Sequence, residues 1–270
     1  MNVKFFKYQG TGNDFILIDD RKLTFPANDF DLVGKLCNRR FGIGADGLIL
    51  LQPHENLSYY MKYYNSDGNE SSMCGNGGRC LAAFALELKI VEQAHTFLAT
   101  DGEHQVQFTN DENNQLLVHL KMKDVLTIET RANHAFVLNT GSPHYVQFQA
   151  EPVSVTNLVE FGKSIRYNNE FKQHGINVNI VQPEGLHHIH MRTYERGVED
   201  ETLSCGTGVT AAALSAAVLN HLPNGHHTIK VNTPGGNLSV SFKINTAENK
   251  FEEVWLTGPA VKVFEGVVEI

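Results

Sequence analysis

The sequence predicts an α+β chain of two pseudo-symmetric halves, each a curved mixed or antiparallel sheet, or a barrel, wrapped round a central buried helix. Three observations predict it. A Cys-Gly-x-Gly motif stands at Cys74 and again at Cys205, an offset of 131 in a chain of 270 residues. Each copy opens an Ala/Leu-rich run, to Ile90 and to Leu222, that is apolar on nearly every face. Such a helix has to be enclosed by other structure. The rest of the chain falls into short alternating segments with turn signals at Asp67-Gly68, Asp101-Gly102 and Pro234-Gly235-Gly236, the spacing of curved sheets or barrels.

Taken in order, the first half offers strand patterns at 3–8, 14–19, 47–51, 58–65, 104–109 and 115–121. A short amphipathic helix is expected at 28–37, and the central helix at Cys80 to Leu88. The second half offers strands at 134–138, 144–149, 176–182, 187–195, 227–232, 237–243, 251–257 and 260–265. Its peripheral helix falls at 155–163, and its central helix, Thr210 to Leu222, is stopped by Pro223-Asn224-Gly225. A weaker repeat supports the division: Gly12-Asn13-Asp14-Phe15 answers to Gly141-Ser142-Pro143-His144 at an offset of 129. At roughly 150 residues per domain the length alone suggests about 1.8 domains.

Composition narrows the function classes. Twenty-two basic against thirty acidic residues give −8, the wrong sign for a protein that neutralises phosphates along a nucleic acid. The 41% apolar content marks a globular chain. The least charged stretch, Ser204 to His221, is too polar for a bilayer span. Four cysteines, Cys37, Cys74, Cys80 and Cys205, are too few for a disulfide scaffold. With a polar, glycine-rich N-terminus, they suggest reduced thiols in the cytoplasm.

A cysteine just before a glycine-rich turn that starts a helix sits where free N–H groups and the helix dipole favour an anion. Such positions lower a thiol pKa from about 8.5 into the range of roughly 3.5–7.5, and the same N–H groups can hold a carboxylate. Cys37 and Cys80 read as small core residues. Cys74 and Cys205 occupy equivalent slots, and two opposed thiols, one ionised, can take a proton from one face of a carbon and return one to the other. That is racemisation or epimerisation. Zinc binding is disfavoured because Cys74 and Cys80 stand six apart, and a redox Cys-x-x-Cys is absent. A non-catalytic site for an anionic metabolite and a hydrolase built on Cys205 and His144 stay open. His187, His188, His190, His226 and His227 invite a metal, but no carboxylate spacing in the sequence supports one, and no metal is expected.

The segments KYQGTGNDFILID (7–19), NRRFGIGADGLIL (38–50), YNSDGNESSMCGNGGRC (64–80), NTGSPHYV (139–146), GINVNI (175–180), YERGVEDETLSCGTG (194–208) and NTPGGNL (232–238) resemble the diaminopimelate epimerases, in the cofactor-independent two-cysteine racemase group. The resemblance implies two domains of similar fold with the active site between them. On it the halves run 1–119, carrying Cys74 with the last strand 263–270 returning to it, and 120–262, carrying Cys205. It implies conversion of LL-2,6-diaminopimelate to the meso form, for lysine and peptidoglycan precursors, with no cofactor. Cys74 and Cys205 become the acid/base pair, and His144 with Glu195 the pair that tunes their protonation. Asn13, Asn65, Gly75, Asn76, Asn177, Glu195, Arg196, Gly206 and Thr207 would bind substrate. A small amino acid is the expected partner, with no nucleic acid and no membrane; a homodimer is left open. The chain departs from many relatives at Ser142, where they carry asparagine, and from some at Gly47, where they carry glutamine.

Overall fold

The computed structural model describes residues 1–245 and 250–270. The chain divides into two compact units, Met1–Leu120 with Gly258–Ile270, and Lys121–Thr257.

The first unit contains β1 (Asn2–Gly10), β2 (Asn13–Asp19), α1 (Phe30–Cys37), β3 (Gly47–Gln52), β4 (Tyr60–Asn65), α2 (Gly75–Glu87), β5 (Ala94–Ala99), β6 (Gly102–Asn110) and β7 (Leu116–Lys121). Strand β1 pairs antiparallel with β2 and with the chain's last strand, Val261–Glu269. Parallel pairing joins β2 to β3 and, at Tyr60 and Leu98, β4 to β5; the pairs β3–β4, β5–β6 and β6–β7 are antiparallel. The run Gly-Leu-Ile-Leu-Leu in β3 is continuous rather than alternating because both faces are covered. Leu48 and Leu50 join Val33 and Leu36 of α1 in one cluster. Ile49 points the other way, to Gly77 at the start of α2.

The second unit contains β8 (Ile128–Arg131), β9 (Ala135–Asn139), β10 (Pro143–Phe148), α3 (Leu158–Arg166), β11 (Asn177–Pro183), β12 (His188–Glu195), β13 (Asp200–Thr202), α4 (Gly206–Leu219), β14 (Gly225–Thr233), β15 (Gly236–Asn245) and β16 (Lys250–Pro259). Here β10 runs parallel to β11, and β12 to β14. Apart from β8 and β13, the order of elements repeats that of the first unit: two strands, a peripheral helix, two strands, the central helix, three strands. In β11 the period of two separates two tasks. Ile176, Val178 and Ile180 pack with Leu158 of α3, whereas Asn179, on the opposite face, lies against Gly208 of α4.

Both central helices begin earlier than the apolar run suggests, at Gly75 and Gly206 rather than 80 and 210. Glycine is a poor helix former, costing about 1 kcal/mol relative to alanine, so local propensity argues against these turns. Tertiary contact decides otherwise: a Cβ on Gly77 would lie 2.9 Å from Ile49, and one on Gly208 would lie 2.6 Å from Asn179 Oδ1. At the far ends both helices close in a Schellman motif. Ile90 N–H bonds Ala85 O and Leu222 N–H bonds Ala217 O, with Lys89 and His221 in the left-handed conformation at φ 57° and 50°. That motif ends α4 at Leu219, three residues before Leu222. Strands β5, β8 and β13 lack a sequence signal: β5 is broken up by small residues, and the other two are short and charged. Among the described residues no helix is long and apolar enough to cross a membrane.

Candidate active site

The cysteine of each repeated motif takes the same structural position. Cys74 and Cys205 are the N-caps of α2 and α4, both extended (φ −103°, ψ 127° and φ −123°, ψ 111°), and neither side chain caps its helix. The first turns, Gly75-Asn76 and Gly206-Thr207, thus begin beside a sulfur, where a helix presents backbone N–H donors. Both cysteines are half-buried. The other two thiols are not comparable: burial pushes Cys37 and Cys80 up to about 12, which keeps them protonated core residues.

Around Cys74 the side chains form a directed chain. Arg39 donates to Asp46 Oδ1 at 2.7 Å, and Asn13 Nδ2 donates to Asp46 Oδ2 at 2.7 Å. The Asn13 amide is thereby turned so that its Oδ1 faces the Cys74 sulfur at 3.6 Å and accepts from Asn76 Nδ2 at 3.3 Å. Asn76 is oriented in turn by Arg79, whose guanidinium donates to Asn76 Oδ1 at 2.9 Å and to Thr11 Oγ1 at 3.3 Å. Arg79 is completely buried. Burial pushes its pKa down, opposed by negative charge at Cys80 and Cys74, so this cation and a Cys74 thiolate attract each other. Asn65 ends β4, exposed and paired with Gly47.

Cys205 has a different support. Thr207 Oγ1 lies 3.4 Å from its sulfur and 2.9 Å from His144 Nε2. His144 is fully buried, and burial, with the nearby Arg196 charge, pushes its pKa down to about 3; the ring is neutral. Its tautomer can be fixed from its neighbours. Asn179 must present Nδ2 to the Tyr145 carbonyl at 3.0 Å, and Thr193 donates to Asn179 Oδ1 at 2.9 Å. The same Nδ2 donates to His144 Nδ1 at 3.1 Å. The ring proton therefore sits on Nε2 and goes to Thr207, which leaves the threonine hydroxyl proton for the Cys205 sulfur. A hydrolase in which His144 takes the proton directly from Cys205 does not fit this geometry: Thr207 stands between them, and the free-base nitrogen points to Asn179.

The charged turn after β12 is held by Asn177. Its Oδ1 accepts from Arg196 N at 2.9 Å, and its Nδ2 donates to Ser142 Oγ at 2.9 Å and Pro143 O at 3.2 Å. Ser142, the departure from the family's asparagine, thus still bonds this position. Arg196 donates to His174 O at 3.0 Å, and Gly175 at φ +72° leaves room for it, since a Cβ there would lie 2.6 Å from Arg196 Cδ. Glu195 accepts from Thr202 at 2.9 Å. The other departure also has a structural counterpart: a side chain at Gly47 would start 2.5 Å from Tyr64 O and 2.6 Å from the Tyr63 ring.

The family model of diaminopimelate epimerase matches residues 5–127 and 136–263. The chain belongs to the diaminopimelate epimerase family. A diaminopimelate epimerase of Flavobacterium psychrophilum is 48% identical over 266 residues, covering 98% of this chain and 100% of that one. One of Aquifex aeolicus is 37% identical over 277 residues, 98% and 97% of the two chains. Family membership makes the protein an isomerase. Among solved structures, a Bacillus anthracis phenazine biosynthesis protein of the PhzF family superposes with a TM-score of 0.79 over all of both chains at 16% identity. A probable proline racemase of Agrobacterium radiobacter gives 0.70 over 99% and 92% at 14% identity. At those identities the likeness is one of fold, two pseudo-symmetric domains of curved sheet about a central helix. Sequence reasoning missed Arg79, Asn179 and Thr193 as site components. The period-two pattern Ile176-Asn177-Val178-Asn179-Ile180 was the available signal, since an asparagine on the buried face of a strand must have a partner.

Proposed function

We propose that this protein epimerises LL-2,6-diaminopimelate to the meso form without pyridoxal phosphate or metal, in the cytoplasmic synthesis of lysine and peptidoglycan precursors. One cysteine thiolate removes the α-proton, and the other thiol delivers its proton to the opposite face of the same carbon. The carbon is inverted and the two thiols exchange protonation states, so atoms and charge balance. The observation that supports this reading is the double placement of a cysteine as N-cap of a buried central helix, in a chain 48% identical to a diaminopimelate epimerase.

The carboxylate at the reacting centre gains negative charge as the proton leaves. First-turn N–H groups of Gly75 and Asn76, and of Gly206 and Thr207, are the donors offered to it. A helix start supplies roughly 0.3–2 kcal/mol in ordinary settings, against the roughly 8–23 kcal/mol enzymes remove from a barrier, so the donors must act where water is excluded. At the distal amino-acid end, Arg196 takes the carboxylate, and Glu195 with the asparagine oxygens takes the ammonium. Asn177 contributes by holding the Arg196 backbone. His144 and Thr207 set the protonation of Cys205.

The test follows α-proton exchange from LL-diaminopimelate in deuterated water with the wild type, Cys74→Ala and Cys205→Ala. Loss of epimerisation in both variants is expected. Epimerisation at the wild-type rate by either would overturn the two-base mechanism, and turnover of proline in place of diaminopimelate would reassign the substrate.

A further inference from the structure

The histidines around β12 include a cluster that neither the proposed reaction nor the family resemblance uses. Strand β12 starts His-Ile-His, and the period of two turns His188 and His190 to one face, with ring centroids 5.2 Å apart. Glu184 is brought to that face by a tight turn closed by Glu184 N–H to His188 O at 2.8 Å. Its Oε2 lies 3.0 Å from His188 Nδ1 and 2.6 Å from His190 Nε2, and the three ligand atoms all lie within 4.8 Å of one another. The carboxylate that the sequence did not reveal is therefore present. It stands four residues before His188, a spacing that means nothing until the turn folds it back.

From this we infer that Glu184, His188 and His190 form a binding site for a borderline divalent ion such as Zn²⁺, with a coordination position left open. Two imidazoles and one carboxylate are the donor set of open zinc sites. The histidine–carboxylate spacing is close to what the ion needs: bonds of about 2.0–2.1 Å in a tetrahedron place ligand atoms about 3.3 Å apart, so the Glu184–His188 and Glu184–His190 separations of 3.0 and 2.6 Å need widen only by tenths of an ångström. The second ring nitrogen of His188 carries the strongest argument. Its Nε2 is hydrogen-bonded to Asn232 Oδ1 on β14, which can only accept if the amide is so placed, so Nε2 carries a proton. Nδ1 is left facing a carboxylate oxygen of Glu184. Two acceptors at 3.0 Å need a cation between them, either a proton or a metal. A ligating histidine whose other nitrogen donates to a fixed carbonyl is the arrangement that orients metal-binding imidazoles. Asn232 is set for that role by the parallel register of β12 and β14, in which it pairs with His190.

The test uses tag-free full-length protein in a Cys74→Ala/Cys205→Ala background, so that the thiols cannot compete. Zn²⁺ is titrated calorimetrically at pH 7.5, and the bound ion is characterised by X-ray absorption. One equivalent bound through nitrogen and oxygen is expected, with affinity falling at least tenfold in Glu184→Gln and a hundredfold in His188→Ala/His190→Ala. Circular dichroism and, in the unmodified-cysteine background, epimerase activity establish that these variants fold. Equal affinity in the double-histidine variant, or no stoichiometric binding by the parent, overturns the inference. Neither result touches the epimerase reading, which the exchange assay decides separately.

Discussion

Thr207→Val tests the hydrogen-bond chain behind Cys205. The substitution keeps the shape of the side chain and removes one oxygen, the atom 2.9 Å from His144 Nε2 and 3.4 Å from Cys205 Sγ. Two costs follow. The Nε2–H of a fully buried, neutral imidazole loses its acceptor, and an unsatisfied buried donor costs about 1–3 kcal/mol of stability. The Cys205 thiolate loses a hydroxyl donor, and a hydrogen bond to a charged group is worth roughly 1.5–3 kcal/mol. At about 1.4 kcal/mol per factor of ten, kcat/KM for diaminopimelate should fall roughly 10- to 150-fold. The pH at which Cys205 becomes alkylated at half its maximal rate should rise by about 1–2 units. Iodoacetamide labelling of Cys205 in a Cys74→Ala background, read by mass spectrometry across pH, measures that shift directly. Thr207→Ser restores the hydroxyl and should recover both activity and labelling profile. Unchanged kcat/KM and an unchanged profile in Thr207→Val would refute the chain, and so would a serine variant as impaired as the valine one.

Arg79→Met should lower kcat/KM tenfold or more and shift Cys74 labelling to higher pH, because Asn76 loses its orienting donor at 2.9 Å and the helix start loses a buried cation; Arg79→Lys should not rescue, since a single ammonium cannot span Asn76, Thr11 and Gly75. Gly208→Ala puts a methyl 2.6 Å from Asn179 Oδ1, and overpacking of about 1–3 kcal/mol should appear both as a lower Tm and as lost activity, whereas a lowered Tm with full activity would show that Asn179 does not position His144. Stability should decline on acidification. His144 takes up a proton below about 6.5 when unfolded and only near 3 when folded, so stability is complete above pH 6.5 and falls at up to about 1.4 kcal/mol per pH unit below it. Burial likewise pushes His95 down to about 4, which adds to the loss. Urea midpoints at pH 7.5 and 5.0 check the sign, and a midpoint higher at 5.0 would contradict it.

The parts of the fold legible in the sequence were those that repeat or alternate. The Cys-Gly-x-Gly motifs marked both central helices, and alternation marked most strands, including all four after α4. The starts of α2 and α4 were hidden because their glycines oppose helix locally and are demanded only by what packs on them, Ile49 and Asn179. The site divided in the same way. Cys74 and Cys205 stand out by the spacing of the repeated motif, and Arg196 by the family resemblance. Arg79 does not, because inside an Ala-rich helix it looks like a solubilising charge, and its meaning depends on complete burial. Asn179 shows its role only once the strand register, which pairs it with Val146, turns it to the face where it reaches His144 Nδ1 rather than to the α3 cluster.

The two helix starts solve one chemical problem by different means. Under the proposed two-base epimerisation each sulfur must be stable both as thiol and as thiolate, since every turnover would exchange the two forms. At Cys74 the tasks are separated: Asn13 Oδ1 can accept the proton of the thiol, while the helix start and the buried Arg79 favour the thiolate. At Cys205 one group can serve both. With its lone pair on one side taken by His144 Nε2–H, the Thr207 hydroxyl can donate its proton to a thiolate, or rotate and accept one from a thiol. The side chains named beside the two sulfurs thus differ, an amide oxygen at Cys74 and a hydroxyl at Cys205. At Cys74 the Arg79 charge favours the thiolate where the amide oxygen favours the thiol, so under the proposed mechanism catalysis in one direction need not strand the enzyme in a form unable to begin the next turnover.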